Sequence, residues 1–265
     1  MLFRSEEISE TANEIVEDMF SREEFVDRVY DIRERNGDLY DHSIMVASLS
    51  ILIALKMNLS KLEVYDIGVG SLLHDMGLRY LSVPYQDIDV EKEFDPESLF
   101  EYRKHTLYGF SSVEKESWMS NESKKIILFH HERLDHSGYP FKQIVMPLSV
   151  RIVSIADAFD DILCGIGVKR GNVRQALDYI RNGRDSLFEG RIVDYFLEFI
   201  AAYPVGTVVV TNKGDEAVVM EQNDHFTDRP KIRLTKDKTG NLYGKEIVID
   251  LMENDEVFIE TVKES

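Results

Sequence analysis

Histidine and aspartate side chains that could bind metal ions recur along much of the chain. Two doublets, His74-Asp75 and His130-His131, lie in stretches of otherwise apolar residues with helical spacing. Such side chains are unfavourable in an apolar helix unless a partner compensates them. Taken singly, each of these histidines would most often be a core histidine with a hydrogen-bond partner. Taken together, the doublets favour a metal site.

The geometry of a helix allows one doublet to serve as two ligands. Adjacent helical side chains diverge by about 100°, which is close to the right angle between neighbouring ligands of an octahedral ion. A carboxylate can also bridge two ions. Gly70 and Ser71 lie one turn before His74 on the same face, so we expect other helices to approach closely there.

Two further apolar segments carry candidate ligands. Asp157 lies in the segment 150–159, which is too apolar to tolerate an unpaired carboxylate cheaply. Metal ligation would explain this residue, and an N-cap or an ion pair is the alternative. His42 begins the apolar stretch 44–55, and Asp38 lies four residues earlier on the same helical face. This pair could share or extend a metal site.

The ligand types indicate a chemistry. Imidazole and carboxylate without thiolate favour octahedral Fe, Mn or similar ions over structural zinc. Two such ions about 3.5 to 4 Å apart lower the pKa of a bridging water and stabilise the phosphoryl oxygens during in-line attack. The pattern therefore suits phosphoester hydrolysis that needs no serine or cysteine nucleophile.

The elements that must position these residues are predicted to be helices up to about Tyr203. Helix-start signals occur at Ser60 with Glu63, at Asp95 before Pro96, and at Asn172 with Gln175. Gly183 and Pro204 are plausible stops. After Pro204, short β-branched runs predict a small β module, either a stabilising cap or a partner surface. The predicted strands are 207–210, 217–220, 246–250 and 257–262.

Composition excludes several classes of function. The net charge of -18 makes long nucleic acid an unlikely partner, although a metal cluster could still attract a small anion. The single cysteine, Cys164, excludes an intramolecular disulfide and a cysteine-built metal site, which fits a reducing compartment. We see no stretch of the roughly 18 apolar residues that a membrane span requires. The expectation is a soluble, cytoplasmic protein that does not bind membranes.

The same residues resemble the HD-GYP family. Its characteristic strings correspond to His74-Asp75 and to residues 130–140, which read His-His-Glu-Arg-Leu-Asp-His-Ser-Gly-Tyr-Pro. The similarity extends from about Asp38 to Phe199. It includes His42-Ser43, His105, residues 155–160 (Ile-Ala-Asp-Ala-Phe-Asp) and residues 188–193 (Phe-Glu-Gly-Arg-Ile-Val).

This resemblance implies a mainly α fold, an HD-superfamily helical bundle with a small C-terminal β module. The implied domains are an N-terminal helical segment at 1–37, the phosphohydrolase domain at 38–203 and the β module at 204–265. Some family members carry a similar C-terminal extension. The implied activity is hydrolysis of cyclic di-GMP to pGpG or GMP by a metal-bridging hydroxide, with two or three divalent ions, Fe or Mn.

Carried over residue by residue, the resemblance also assigns roles. Asp75 would bridge two ions, and Asp38 takes the place of a glutamate that holds a third metal in some members. Asp75 and Arg133 would be catalytic, while Arg133, Tyr139 and Lys169 would contact the substrate. The implied metal ligands are Asp38, His42, His74, Asp75, His105, His130, His131 and Asp157.

Three positions depart from the family pattern. Leu78 replaces a lysine that lies near the substrate phosphate, and Arg79 has a different helical direction. Ile166 replaces an arginine of the dinucleotide-gripping segment, in which Lys169 is kept. His136 replaces a loop glycine, and is either an added contact or a tolerated loop residue.

These departures leave other readings open. The chain could be an idle module that senses the dinucleotide or docks a signalling partner, or it could be a phosphohydrolase for another phosphoester such as pGpG, a hybrid cyclic dinucleotide or a mononucleotide. The N-terminal helices could support a homodimer.

Overall fold

The computed structural model describes residues 14–19, 21, 37–142, 145–200, 203, 205–223, 226 and 228–263. Residues 14–19 are helical, and most of the predicted N-terminal segment lies outside the described residues. The chain divides into two compact units, residues 1–171 with 179–195 and residues 172–178 with 196–265. The predicted domain limits, 38–203 and 204–265, stay predictions.

Helices dominate the described part of the chain up to residue 199. They are α1 (Gly37–Lys56), α2 (Lys61–Leu72), a 3-10 helix (Met76–Tyr80), α3 (Val90–Glu93), α4 (Pro96–Arg103), α5 (His105–Val113), α6 (Asn121–Phe129), α7 (Leu148–Cys164), α8 (Val173–Asn182) and α9 (Gly190–Phe199). The prediction of a mainly helical protein with a small C-terminal sheet is confirmed.

The three predicted helix starts are confirmed by their hydrogen bonds. Ser60 and Glu63 form a reciprocal capping box at the start of α2. The Asp95 carboxylate accepts from two backbone N–H groups of the first turn of α4. The side-chain oxygen of Asn172 accepts from the Gln175 N–H at 3.0 Å. These caps satisfy N–H groups that would otherwise lack partners.

The metal-ligand candidates are carried by a tightly packed group of helices. α1 packs on α2 and α7, and α2 packs on α6. The apolar faces between them are buried, as at Ile53, Ile67 and Ile155. A Cβ at Gly70 would lie 2.7 Å from the Ile126 side chain, so α6 approaches α2 where the small residues predicted a close approach.

Helix α1 also bears on the expectation about membranes. Residues Asp38–Lys56 are long and apolar enough, by length and composition alone, to span a bilayer. The statement that the chain has no such stretch is therefore wrong for this helix. Its most apolar window is 56% buried within the protein, and it carries the buried His42. Packing in a helical core accounts for its hydropathy.

The C-terminal sheet has five antiparallel strands in the order β4-β3-β2-β1-β5. Its core comes from alternate residues such as Val209, Ala217, Val219 and Ile232. The four predicted strands are present with shifted limits, and β3 was not predicted. The strands are β1 (Val208–Thr211), β2 (Glu216–Glu221), β3 (Lys231–Lys236), β4 (Val248–Asp250) and β5 (Ile259–Val262).

Candidate metal centre

Seven of the eight predicted metal ligands meet in one buried cluster. Each lies within a helix or within two residues of a helix end, so the bundle supplies one or two donors from each of several elements. They are His42 on α1, His74 and Asp75 between α2 and the 3-10 helix, His105 at the start of α5, His130 and His131 after α6, and Asp157 on α7. All are at most 8% exposed.

The Asp75 carboxylate lies between two groups of histidines. Its Oδ1 is 3.4 Å from the Nε2 atoms of both His105 and His130. Its Oδ2 is 3.6 Å from His74 Nε2 and 3.8 Å from His42 Nε2. One oxygen therefore faces each group, which is the arrangement that a carboxylate bridging two ions requires.

Asp157 approaches the same cluster from α7. Its Oδ1 lies 3.1 Å from His74 Nε2, and its Oδ2 lies 3.5 Å from His131 Nδ1. Among the described residues, neither oxygen of Asp157, nor Asp75 Oδ1, nor His131 Nε2 has a hydrogen-bond partner of acceptable geometry. Buried polar atoms without partners cost free energy. A buried set of nitrogen and carboxylate donors without hydrogen-bond partners fits divalent cations.

Backbone carbonyls orient three of the histidine rings. The Nδ1 atoms of His74 and His105 lie 2.6 Å and 2.8 Å from the carbonyl oxygens of Ser71 and Tyr102. His130 Nδ1 lies 3.1 Å from the Ile127 carbonyl oxygen. A carbonyl oxygen only accepts, so each Nδ1 must donate. Each Nε2 then presents its lone pair to the cluster, as a metal ligand must.

Burial and mutual charge perturb the pKa values of the cluster. Burial alone would lower the pKa of His42, but the nearby carboxylates of Asp157 and Asp160 outweigh it and raise that pKa well above the usual value. Burial lowers the pKa of His105 to about 4 despite the nearby carboxylate. Burial would raise the pKa of Asp75, but neighbouring histidines lower it. Asp75 therefore stays ionised, and protons on some histidines supply the positive charge that metal ions could replace.

Sequence reasoning assigned no role to two acidic residues of α7, Asp160 and Asp161. Asp160 Oδ2 lies 2.8 Å from His42 Nδ1 and orients that ring. Asp161 is 8% exposed, and its Oδ1 has no hydrogen-bond partner in the described part of the chain. Burial and the charge of Asp157 raise the Asp161 pKa well above its usual value. The sequence feature that could have identified them is their position three and four residues after Asp157, on the same helical face.

Asp38, the eighth predicted ligand, has a different environment. Its side chain is exposed on α1, and one carboxylate oxygen accepts a 3.3 Å hydrogen bond from Gln86. The structure does not group its oxygens with the buried histidines and aspartates. Its predicted role at a third metal stays a prediction.

A cavity of about 400 Å³ adjoins the cluster. His131 and Asp161 reach it from the cluster, and Arg133 and Tyr139, the predicted substrate contacts, also line it. The full lining is Val90, Glu91, Tyr102, Arg103, His131, Arg133, Ser137, Gly138, Tyr139, Ala158, Asp161, Ile162, Ile166, Gly167, Val168 and Tyr179. Its volume is within the range of small-molecule sites.

Two arginines bring positive charge to this cavity. Arg133 Nη1 donates to the carbonyl oxygens of His130 and Glu132 at 2.9 Å and 3.0 Å, so this side chain holds the histidine loop. Arg103 was not foreseen from the sequence. Its guanidinium lies 5.2 Å from the Tyr139 ring centre and pairs with Glu91 at 2.8 Å. Arg103 lies in none of the segments that resemble the family. Its position two residues before His105 was the one signal in the sequence.

The remaining predicted contact, Lys169, lies apart from this lining. Its side chain is 60% exposed, and its Nζ donates to the Asp87 carbonyl oxygen at 2.8 Å and lies 3.3 Å from Glu93. Lys169 is not among the described residues that line the cavity. Neutralisation of a substrate phosphate by this lysine stays a prediction.

The three departures from the family pattern have distinct environments. Leu78 is 2% exposed in the 3-10 helix and belongs to the core. Ile166 is buried and lines the cavity with an apolar surface. His136 is exposed, with φ of 65°, in the loop after α6. Its side chain is not grouped with the described metal-ligand candidates, which favours a tolerated loop residue.

Comparison with known proteins places this cluster in a family. The profile described as "HD domain" matches residues 23–192, and a profile described as "KOW domain associated with HD domain" matches residues 208–264. A cyclic di-GMP phosphodiesterase of Pseudomonas aeruginosa is 27% identical over 227 residues, which cover 83% of this chain and 54% of that protein. The chain thus spans about half the length of this relative.

Other curated relatives match shorter parts of the chain. A cyclic di-GMP phosphodiesterase of Thermotoga maritima is 30% identical over 62% of this chain and 45% of its own length. The 3'3'-cGAMP-specific phosphodiesterase 2 of Vibrio cholerae is 28% identical over 63% of this chain and 32% of its own length. The first profile covers more than half of the chain. The chain therefore belongs to the HD domain family, and the resemblance to HD-GYP proteins is confirmed.

Proposed function

We propose that this chain is a metal-dependent phosphodiesterase that hydrolyses a cyclic dinucleotide, with cyclic di-GMP as substrate and pGpG or GMP as product. The observation that carries the proposal is the buried cluster of histidines and aspartates, with unpartnered Asp75 and Asp157 oxygens among the described residues, beside a cavity lined by two arginines. The names of the Pseudomonas and Thermotoga relatives support the substrate.

The cluster would hold two or three divalent ions, Fe or Mn. Asp75 would lie between the ions, with His105 and His130 on one side and His42 and His74 on the other. When bound, such ions lower the pKa of coordinated water and stabilise charge on phosphoryl oxygens. The chain's own part is to fix the donor positions through the carbonyl hydrogen bonds to the histidine Nδ1 atoms.

The cavity residues would bind and orient the dinucleotide. Arg103 and Arg133 offer guanidinium groups, which suit the planar recognition of phosphate oxygens. The Tyr139 ring lies 4.7 Å from the His131 ring, so a base or ribose bound beside it would be held next to the ligand cluster. Ile166 and Val168 give another part of the same lining an apolar surface.

A substrate panel tests this proposal. Anaerobically prepared protein loaded with Fe²⁺ or Mn²⁺ is incubated with cyclic di-GMP, 3'3'-cGAMP, pGpG and a mononucleotide, and the products are separated chromatographically. We expect cyclic di-GMP to be turned over with the highest kcat/KM. Faster turnover of 3'3'-cGAMP, the substrate named for the Vibrio relative, would move the assignment to a hybrid cyclic dinucleotide.

A second candidate is a module that binds a cyclic dinucleotide but hydrolyses it weakly or not at all. The burial of Leu78 favours it, because no cation stands at this position of the described site. Metal loading and dinucleotide binding by calorimetry, without product formation over hours, would select this candidate. We further propose that the protein acts in the cytoplasm, consistent with its one free cysteine, Cys164.

A further inference from the structure

We propose that Asp161 is a metal ligand, which binds one of the ions together with His42 and Asp157. This inference rests on the proposed metal centre and names a residue of that centre which the family resemblance does not supply. One ligand atom from each of the three side chains lies within 4.8 Å of the other two, and all three residues are buried.

The distances fit one shared ion. His42 Nε2 lies 3.5 Å from Asp157 Oδ1 and 3.9 Å from Asp161 Oδ1. For metal–ligand bonds of about 2.1 Å in an octahedral site, donor atoms of one ion lie about 3 to 4.2 Å apart. The Nδ1 atom of His42 is engaged by Asp160 at 2.8 Å, so Nε2 is the nitrogen that faces both carboxylates.

One oxygen of the Asp161 carboxylate lacks the hydrogen-bond partner that a structural carboxylate would have. Its Oδ1 is buried without a hydrogen-bond partner within the described ranges, as are both oxygens of Asp157. The two residues lie one helical turn apart on α7, where like charges repel. A buried pair of carboxylates is costly unless a cation neutralises both. A divalent ion between them and His42 would do so.

Asp38 is the competing candidate for this role. It lies one turn before His42 on α1, but its carboxylate is exposed and accepts from Gln86. Asp161 is 8% exposed and lines the cavity beside the cluster. Burial and position therefore select Asp161 over Asp38 as the oxygen donor that completes the His42 site.

The test compares Asp161→Asn, Asp38→Asn and Asp41→Asn in the full chain. The amide keeps the shape of the side chain but removes its charge, and the exposed Asp41 is the matched control beside His42. Bound metal is counted by elemental analysis after dialysis against Mn²⁺. The thermal unfolding midpoint is recorded with and without Mn²⁺.

We expect Asp161→Asn to lose about one ion per chain and to need at least about tenfold more Mn²⁺ for half of the maximal stabilisation. The metal-free variant should be as stable as the wild type or more so, because a buried like charge is removed. A purely structural role of Asp161 would instead lower the metal-free midpoint and leave the ion count unchanged.

Two results would overturn the inference. An unchanged ion count in Asp161→Asn would do so, and so would loss of the ion in Asp38→Asn alone. Both leave the proposed function standing, since wild-type protein still binds metal. A wild-type protein that binds no Mn²⁺ and no Fe²⁺ would overturn the proposed function together with the inference.

Discussion

At the residue scale, the Asp75 carboxylate connects the two halves of the ligand cluster. One oxygen faces His105 and His130, and the other faces His42 and His74. No other described carboxylate approaches four histidines in this way. Loss of Asp75 should therefore affect the ions on both sides of the cluster.

Replacing Asp75 with alanine should abolish metal loading and hydrolysis together. The variant removes both oxygens that would lie between the ions, so the positive charges of neighbouring ions would no longer be offset there. Elemental analysis and product chromatography on the same sample measure the two effects, with Asp41→Ala as the control. A variant that hydrolyses cyclic di-GMP without bound metal would contradict the assignment.

The Leu78→Lys exchange tests whether the family lysine can simply be restored. Leu78 is 2% exposed, so an ammonium group at this position would be buried without a designed partner. We expect a loss of about 3 kcal/mol in unfolding free energy and no gain in kcat. Denaturant unfolding measures the first and steady-state kinetics the second, with Leu78→Met as the volume-matched control.

A Leu78→Lys variant that hydrolyses cyclic di-GMP at least tenfold faster would show that this position faces the substrate. Leu78 would then be buried because its side chain is apolar, and not because this position is closed to the substrate.

The histidines and aspartates of the buried cluster could be predicted residue by residue, but some of their neighbours could not. His74, His130 and Asp157 stand out because polar side chains interrupt apolar helices. Asp161 follows the same pattern, but no string of the family singles it out. Arg103 was missed because an arginine in the last turn of a short helix is ordinary. Its contact with Tyr139 depends on how α4 packs in the folded protein, which cannot be predicted from the local sequence.

At the scale of elements, the 3-10 helix after Asp75 sets the distance between α2 and α5. A Cβ on Gly77 would collide with the carbonyl oxygen of His105 and lie 2.6 Å from the backbone nitrogen of Gly109. The glycine therefore lets two backbones touch where Asp75 and His105 must meet. This contact, and not only the ligand residues, sets the geometry of the cluster.

Gly77→Ala should thus damage the site without removing a ligand. The added methyl group must push the 3-10 helix away from α5, which we expect to cost about 3 kcal/mol of stability and to lower metal content. Gly244→Ala is the matched control, because its Cβ would meet no atom within 4 Å. Wild-type stability and metal content in Gly77→Ala would show that this contact is not needed.

The sequence predicted elements well where caps and turns mark them and less well elsewhere. The caps at Ser60, Asp95 and Asn172 have explicit hydrogen-bonding side chains, and all three are confirmed. Strand β3 was missed because its two buried residues, Ile232 and Leu234, alternate with charged ones in a short run. Such a run becomes a strand only when β2 and β4 pair with it.

At the scale of the whole molecule, metal binding should be coupled to stability. The candidate metal ligands come from α1, α5 and α7 and from the ends of α2 and α6. Metal-free, the cluster leaves buried oxygens without partners among the described residues. An ion that binds only the folded state stabilises it by mass action.

Chelation should consequently lower the thermal unfolding midpoint. A metal ion at a free concentration of 100 times its Kd stabilises the folded state by about 2.7 kcal/mol. This corresponds to a rise of about 5–10 °C in the unfolding midpoint for a domain of this size. Differential scanning calorimetry with and without a chelator measures the shift, and readdition of Mn²⁺ should restore it. A midpoint that does not respond to chelator or metal would mean that the folded cluster holds no ion.

The most direct test of the central claim combines two measurements on one sample. Anaerobically purified protein is analysed for bound elements, and cyclic di-GMP turnover is followed chromatographically. We predict two or three Fe or Mn ions per chain together with formation of pGpG or GMP. Protein that carries no metal under these conditions, or that turns over cyclic di-GMP equally well after the metal is removed, would contradict the account.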